Sequence, residues 1–209
     1  MVSESFLACY PILTIHNGVD LSVFKPTDSD FRRRYQLDNK FIVLGVADGF
    51  GERKGSPDFN SLNERLGDDV KVVMVGVRPK DKKRISENIL TIERTQNQQE
   101  LVEIYSVADV FINPTYEDNF PTTNLEALAC GTPVITYRTG GCPEAIDDKT
   151  GIVVEKGNVR PLGRCRAPAF QRRRPLARFC PACPWPRTGR LLAPEHRLPP
   201  QCRTTPCGC

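Results

Sequence analysis

With 209 residues the chain has room for one domain of ordinary size, or for one domain and a tail. Its net charge of +4 averages two unlike parts: residues 1–159 carry 18 Lys and Arg against 24 Asp and Glu, whereas residues 160–209 carry 11 Arg, no Lys and one acid, Glu195. The apolar stretch Phe6–Ile15 is ten residues long, contains Pro11 and follows Glu4 rather than a basic region, so it is too short to span a membrane and wrongly flanked for a secretion signal. The default compartment is therefore the cytosol, where Cys9, Cys130 and Cys142 are expected as reduced thiols.

From residue 14 the chain reads as a polar connector, TIHNGVDLSVFKPTDSDFRRRYQLDNK, followed by alternating apolar runs and amphipathic stretches. The apolar runs predict strands over Phe41–Ala47, Val70–Gly76, Asn88–Glu93, Asp109–Pro114, Pro133–Tyr137 and Gly151–Glu155. Helical patterns fall between them at Ser56–Leu66, Asn97–Ala108 and Thr122–Cys130. Strands apolar on both faces and separated by helices imply an α/β fold, a doubly wound Rossmann-like parallel sheet covered on both sides. In such sheets ligands bind beyond the carboxyl ends of the strands. The chemistry is therefore sought in the loops after Ala47, Gly76, Glu93, Pro114 and Tyr137.

Residues 160–209 break this pattern. They hold six of the nine Cys and ten of the eighteen Pro, with no apolar run of helix or strand period. Such a segment buries too little apolar area to offset its ordering entropy, and disorder is the expectation. Cys180, Cys183, His196 and Cys202 have a zinc-finger spacing, but Pro194, Pro199 and Pro200 would interrupt the helix that should present His196. No metal site is expected. The abrupt turn to Arg, Pro and Cys after Val159 suggests a shifted reading frame.

The loop and helix after the fourth strand, NPTYEDNFPTTNLEALACG (residues 113–131), are the most informative stretch. A helix start offers free N–H groups and the positive end of a dipole, which suit an anion, phosphate most often. Asp118 precedes the helix and Glu126 lies one to two turns within it, so both can face one crevice. Ionised carboxylates only accept hydrogen bonds and fit partners rich in hydroxyls. Phosphate flanked by polyols satisfies the whole pattern, and a nucleotide-sugar has that layout. The plainer alternative stays open: Asp118 as an acid favouring the dipole, Glu126 as a solvated helix residue, and Gly131 with Pro133 as a helix stop.

The run DNFPTTNLEALACGTP (Asp118–Pro133) resembles the carboxylate-x7-Glu signature of retaining glycosyltransferase family 4, which has the GT-B fold. The family usually has Glu at the first position, where Asp118 stands here, with Glu117 one residue out of register. HNGVDLSVFKP (His16–Pro26) resembles the family's hinge, ERKG (Glu52–Gly55) its phosphate-binding basic turn, and Thr139-Gly140-Gly141 followed by Glu144 its later donor-side loop. The similarity covers roughly residues 10 to 159.

The resemblance implies a donor-binding half of a hexosyltransferase that moves a sugar from a nucleotide-diphosphate donor to an acceptor hydroxyl with retention of configuration, in polysaccharide or glycan biosynthesis. Asp118 and Glu126 are the implied catalytic pair. Lys54, with Arg53, would neutralise the diphosphate; Asp118, Asn119, Phe120, Pro121, Thr122 and Thr123 would hold sugar and phosphate; Glu126 would take the ribose; Arg94 and Thr95 would lie by the base. No cofactor or divalent metal is implied, because cations and helix dipoles take that role. The acceptor, a glycan or lipid-linked glycan, is not named by these residues. Nucleic acid is not the expected partner, no membrane span is expected, and contact with a membrane surface stays open. A non-catalytic nucleotide-sugar module and a polyanion binder acting through the Arg-rich tail are the alternatives.

Other motifs weigh less. The family commonly has an Arg about five residues before Lys54, where this chain has DGFG (Asp48–Gly51). Gly49, Gly51 and Gly55 invite a dinucleotide reading, but no acid closes the second strand. His16 is expected as a surface or packing residue, and Cys130 and Cys142 as small buried hydrophobes. The implied organisation is a first-domain remnant and hinge over 1–26, a nucleotide-sugar domain over 27–159 and a tail over 160–209. On this reading the chain lacks most of a first domain and does not complete transfer alone.

Overall fold

The computed structural model describes residues 4–10 and 14–160. The tail beyond Arg160, with its zinc-like spacing, lies outside them. Described residues before His16 belong to a unit of their own, with a short 3₁₀ turn over Phe6–Cys9. The sheet belongs to the unit that begins at His16.

That sheet has six strands: β1 (Phe41–Val46), β2 (Val70–Val75), β3 (Leu90–Ile92), β4 (Val110–Asn113), β5 (Val134–Tyr137) and β6 (Gly151–Val154). Around it run α1 (Phe31–Arg34), α2 (Ser56–Asn63), α3 (Pro79–Lys82), α4 (Gln98–Val107) and α5 (Thr122–Ala129). All strand pairs are parallel, in the order β3-β2-β1-β4-β5-β6. This is the doubly wound α/β sheet expected from the sequence, its strands trimmed at their ends. Because the order reverses between β1 and β4, the loops leaving these two strands part company and open a crevice at their carboxyl ends.

The pleat distributes the apolar residues between two layers. Val43, Val72, Met74, Val110 and Ile112 face Phe59 and Leu62 of α2, whereas Ile42, Leu44, Val73, Val75 and Phe111 face Val102 and Tyr105 of α4 and Ala127 of α5. Val and Ile dominate because β-branched side chains fit a pleated surface buried on both sides.

The stretch expected as a polar connector is instead part of the fold. Phe24, Phe31 and Leu37 are buried in the second layer. Arg32 on α1 donates to Asp109 Oδ2 at 2.6 Å, Val107 O at 2.7 Å and Lys40 O at 2.7 Å, and Asp109 also accepts from the Ile42 N–H at 2.8 Å. One guanidinium therefore ties α1 to the end of α4 and the start of β1. Scattered apolar residues without a helical period concealed this role.

A buried carboxylate joins α2 to the other half of the sheet. Asp58 is 7% exposed and accepts from the Tyr137 hydroxyl at 2.9 Å and the Tyr116 hydroxyl at 3.3 Å. Burial and the nearby carboxylate push the Tyr137 hydroxyl well above its ordinary value, so it stays a donor. Tyr137→Phe strips Asp58 of its shorter donor and is expected to cost about 1–3 kcal/mol in urea unfolding, because a buried acceptor loses its partner. Tyr116→Phe breaks the longer bond at a half-buried ring and is expected to cost less than about 1 kcal/mol. Equal losses for the two variants would contradict this ranking.

Candidate functional site

The loop after β1 runs through Gly49–Gly51 into a 3₁₀ turn over Glu52–Lys54, which leads directly into α2. It is joined to the loop after β4 through the Arg53 carbonyl, which accepts from the Tyr116 N–H at 2.8 Å and the Thr115 hydroxyl at 3.2 Å. With the backbones joined, Lys54 Nζ reaches Asp118 Oδ2 at 2.6 Å. The two side chains are 26% and 16% exposed, so each is the other's main compensation for lost water.

The β5 loop clasps the same segment. The Gly141 N–H donates to the Asn119 carbonyl at 2.7 Å. Gly140 has φ +49°, and a Cβ there would fall 1.8 Å from the Asp118 carbonyl oxygen, so only glycine permits this approach. His16 stacks on Phe120 with ring centroids 4.5 Å apart and pairs with Glu144. It is thus a packing residue that holds both loops.

Pro121 stands at the residue before α5, followed by Thr122 and Thr123 in its first turn. The helix is fixed to the sheet by a buried amide pair, Asn113 Nδ2 donating to Asn124 Oδ1 at 2.9 Å. Neither asparagine stood out in the sequence, where nothing signals that two amides eleven residues apart will meet inside.

A cavity of about 660 Å³ opens at the carboxyl ends of β1, β2 and β3, bordered by the first turns of α5. Its polar lining is Asp48, Arg78, Glu93, Arg94, Thr95, Thr123 and Glu126. Glu126 accepts from the buried Tyr105 hydroxyl at 2.9 Å. Burial raises its carboxyl above the ordinary value, and the hydrogen bonds from Tyr105 and Thr122 oppose that rise. The result is a half-buried acid with a tyrosine at its back and open space in front.

The expected residues therefore occupy two neighbouring places. Arg94, Thr95, Thr123 and Glu126 line the cavity. Lys54 and Asp118 are outside that lining, paired to each other, with Asn119 and Phe120 on the same loop. Arg53 is exposed and contributes its carbonyl to the loop junction. Arg78 and Asp48 line the cavity too, although a charge after a strand carries no signal in sequence.

Burial pushes the Cys130 thiol up to about 12 and raises that of Cys142, so neither is a thiolate near neutrality. Among the described residues no group of three or more His, Cys, Asp or Glu is arranged to hold a metal ion. No helix among them is long and apolar enough to cross a membrane.

A family model described as glycosyl transferases group 1 matches residues 57–165. The D-inositol 3-phosphate glycosyltransferase of Mycobacterium sp. (strain KMS) is 32% identical over 160 residues, covering 69% of this chain and 36% of that protein. The chain thus spans about a third of the length of the curated relatives it matches. Among solved structures, sucrose-phosphate synthase from Thermosynechococcus elongatus superposes with a TM-score of 0.61 at 26% identity, covering 71% of this chain and 41% of that one. Anabaena Alr3699/HepE, solved in complex with UDP and glucose, superposes with a TM-score of 0.63 at 18% identity over 72% of this chain and 45% of that one, and supports the fold alone.

Because burial favours the protonated carboxyl, the folded chain binds a proton at Glu126 more tightly than the unfolded chain does. This group's contribution to stability therefore falls as pH rises from the ordinary carboxyl value of about 4.3. Glu126→Gln keeps an acceptor for Tyr105 and removes the charge. At pH 7 its urea midpoint is expected to equal or exceed that of the wild type, with the gap closing as pH is lowered toward about 4. A Gln variant less stable at pH 7 would show that burial is not the dominant influence on this acid.

Proposed function

The chain belongs to the glycosyl transferases group 1 family, which has the GT-B fold, and from that premise we propose that it binds a nucleotide-diphosphate sugar. In the reaction this donor serves, a hexosyl group passes to an acceptor hydroxyl with retention of configuration, as a step in building a glycan or polysaccharide. The observation that carries the reading is the cavity at the carboxyl ends of β1, β2 and β3, lined by the half-buried Glu126, with the Lys54–Asp118 pair beside the start of α5 just outside that lining. The UDP complex of the HepE structure agrees with a nucleotide partner.

The roles follow from the chemistry of each group. Glu126, held by Tyr105, presents a carboxylate to the ribose hydroxyls, while Arg94 and Thr95 border the base. The diphosphate meets the N–H groups of Phe120, Thr122 and Thr123 and the Lys54 ammonium, with Arg53 adding charge from the adjoining turn. Asp118 takes hydroxyls of the sugar. When the bond between the anomeric carbon and the diphosphate breaks, negative charge grows on the leaving oxygen, and Lys54 and the helix start are the groups that offset it. These groups supply positive charge at that point without calling on a cofactor or divalent ion.

In the free protein Lys54 and Asp118 occupy each other, so binding must exchange that contact for one with the donor. Calorimetry of the whole chain with UDP- and GDP-hexoses is expected to show binding at roughly micromolar to millimolar affinity. Lys54→Ala is expected to weaken it by about tenfold or more, the worth of one charge-assisted hydrogen bond. Silence with every nucleotide-sugar, at concentrations well above that range, would refute the proposal.

A further inference from the structure

The cavity mouth holds a second ion pair that the roles above do not use. Arg78 follows β2 and immediately precedes α3, and its Nη2 donates to Asp48 Oδ1 at 2.9 Å. Gly49, with φ +86°, makes room for it: a Cβ there would fall 2.9 Å from Arg78 Nε. The Arg78 side chain thus lies across the end of β1, in space that any other residue at 49 would occupy.

The base of Arg78 is fixed while its tip is exposed. The Gly49 N–H donates to the Gly76 carbonyl at 2.9 Å, and the Phe50 N–H donates to the buried Asp81 of α3 at 3.3 Å, locking the β1 and β2 loops together. The Arg78 side chain itself is 46% exposed and that of Asp48 is 96% exposed. Both nearby guanidiniums act on Asp48, whose carboxyl is held below its ordinary value by Arg78 first and by Arg94 as well.

Counting the charged lining, three carboxylates (Asp48, Glu93, Glu126) face two guanidiniums (Arg78, Arg94), a poor balance for an anionic ligand. The balance changes if Asp48 withdraws into water, which its exposure permits at little cost because exposed ion pairs are weak. A guanidinium then stands open, and its planar fork matches phosphate oxygens.

We propose that Arg78 is a phosphate-binding residue contributed by the β2 loop, and that Asp48 is its internal competitor, occupying the guanidinium until a nucleoside diphosphate displaces it. The proposal rests on the donor-binding reading above and adds to it a cation from a different strand, together with a carboxylate that lowers affinity.

The test is a double-mutant cycle on the whole chain, titrated with UDP and with GDP. Arg78→Gln is expected to weaken binding of the preferred nucleotide about tenfold, and Asp48→Asn to tighten it about threefold or more. In the Arg78→Gln background, Asp48→Asn is expected to have no effect, because the competitor then has nothing to release. Melting temperatures of all variants should stay near the wild type, both groups being exposed. Unchanged affinity in Arg78→Gln overturns the proposal. So does an Asp48→Asn gain that persists without Arg78, which would reflect net charge alone. Nucleotide binding that ignores Arg78 sinks this inference only, whereas a wild type that binds neither nucleotide sinks the donor reading with it.

Discussion

A parallel sheet buried on both faces leaves few places for polar side chains. Strand interiors here are mostly Val, Ile, Leu, Phe and Met facing one apolar layer or the other, and any ionised group among them would have to be paired or neutralised. Charged residues that face a ligand are therefore confined to the edges of the sheet. The strand order opens one of those edges, because β1 and β4 are neighbours whose chains leave toward opposite layers. Cavity, cationic turn and acidic loop all gather at that edge.

The loops there are not loose. The Arg53 carbonyl ties the β4 loop to the β1 turn, Gly141 ties the β5 loop to Asn119, and Asn113 with Asn124 ties α5 to the sheet. His16 adds a ring contact and a hydrogen bond to Glu144 across the β4 and β5 loops. A site assembled from backbone junctions loses little entropy when a ligand arrives, since its geometry is already set. Behind it, the Asp58 carboxylate with Tyr116 and Tyr137 braces the same loop from within the core.

Three of the carboxylates at this edge each have a partner. Lys54 meets Asp118, Arg78 meets Asp48, and the Glu126 carboxylate meets the Tyr105 hydroxyl. Pairing lowers the cost of holding ions at a half-buried surface, and it means that a charged ligand binds by exchange rather than by simple addition. The two cation–carboxylate pairs differ in burial, so they differ in how readily they open: Lys54 and Asp118 are largely covered, while Arg78 and Asp48 stand in water.

The sequence by itself determined the α/β class, the six parallel strands and their chain order, because each is written in the local period of apolar residues. It also marked Asp118, Glu126 and Lys54, whose residue types at strand ends and a helix start carry a chemical meaning without coordinates. Only the tertiary structure decided who meets whom. That Arg32 would reach Asp109, that Lys54 would spend its charge on Asp118 rather than stand in the cavity, and that Arg78 would pair with Asp48 are contacts between residues 30 to 77 positions apart. Such pairings depend on how strands are ordered and how closely loops approach, and a one-dimensional pattern carries no record of distance between its own remote parts.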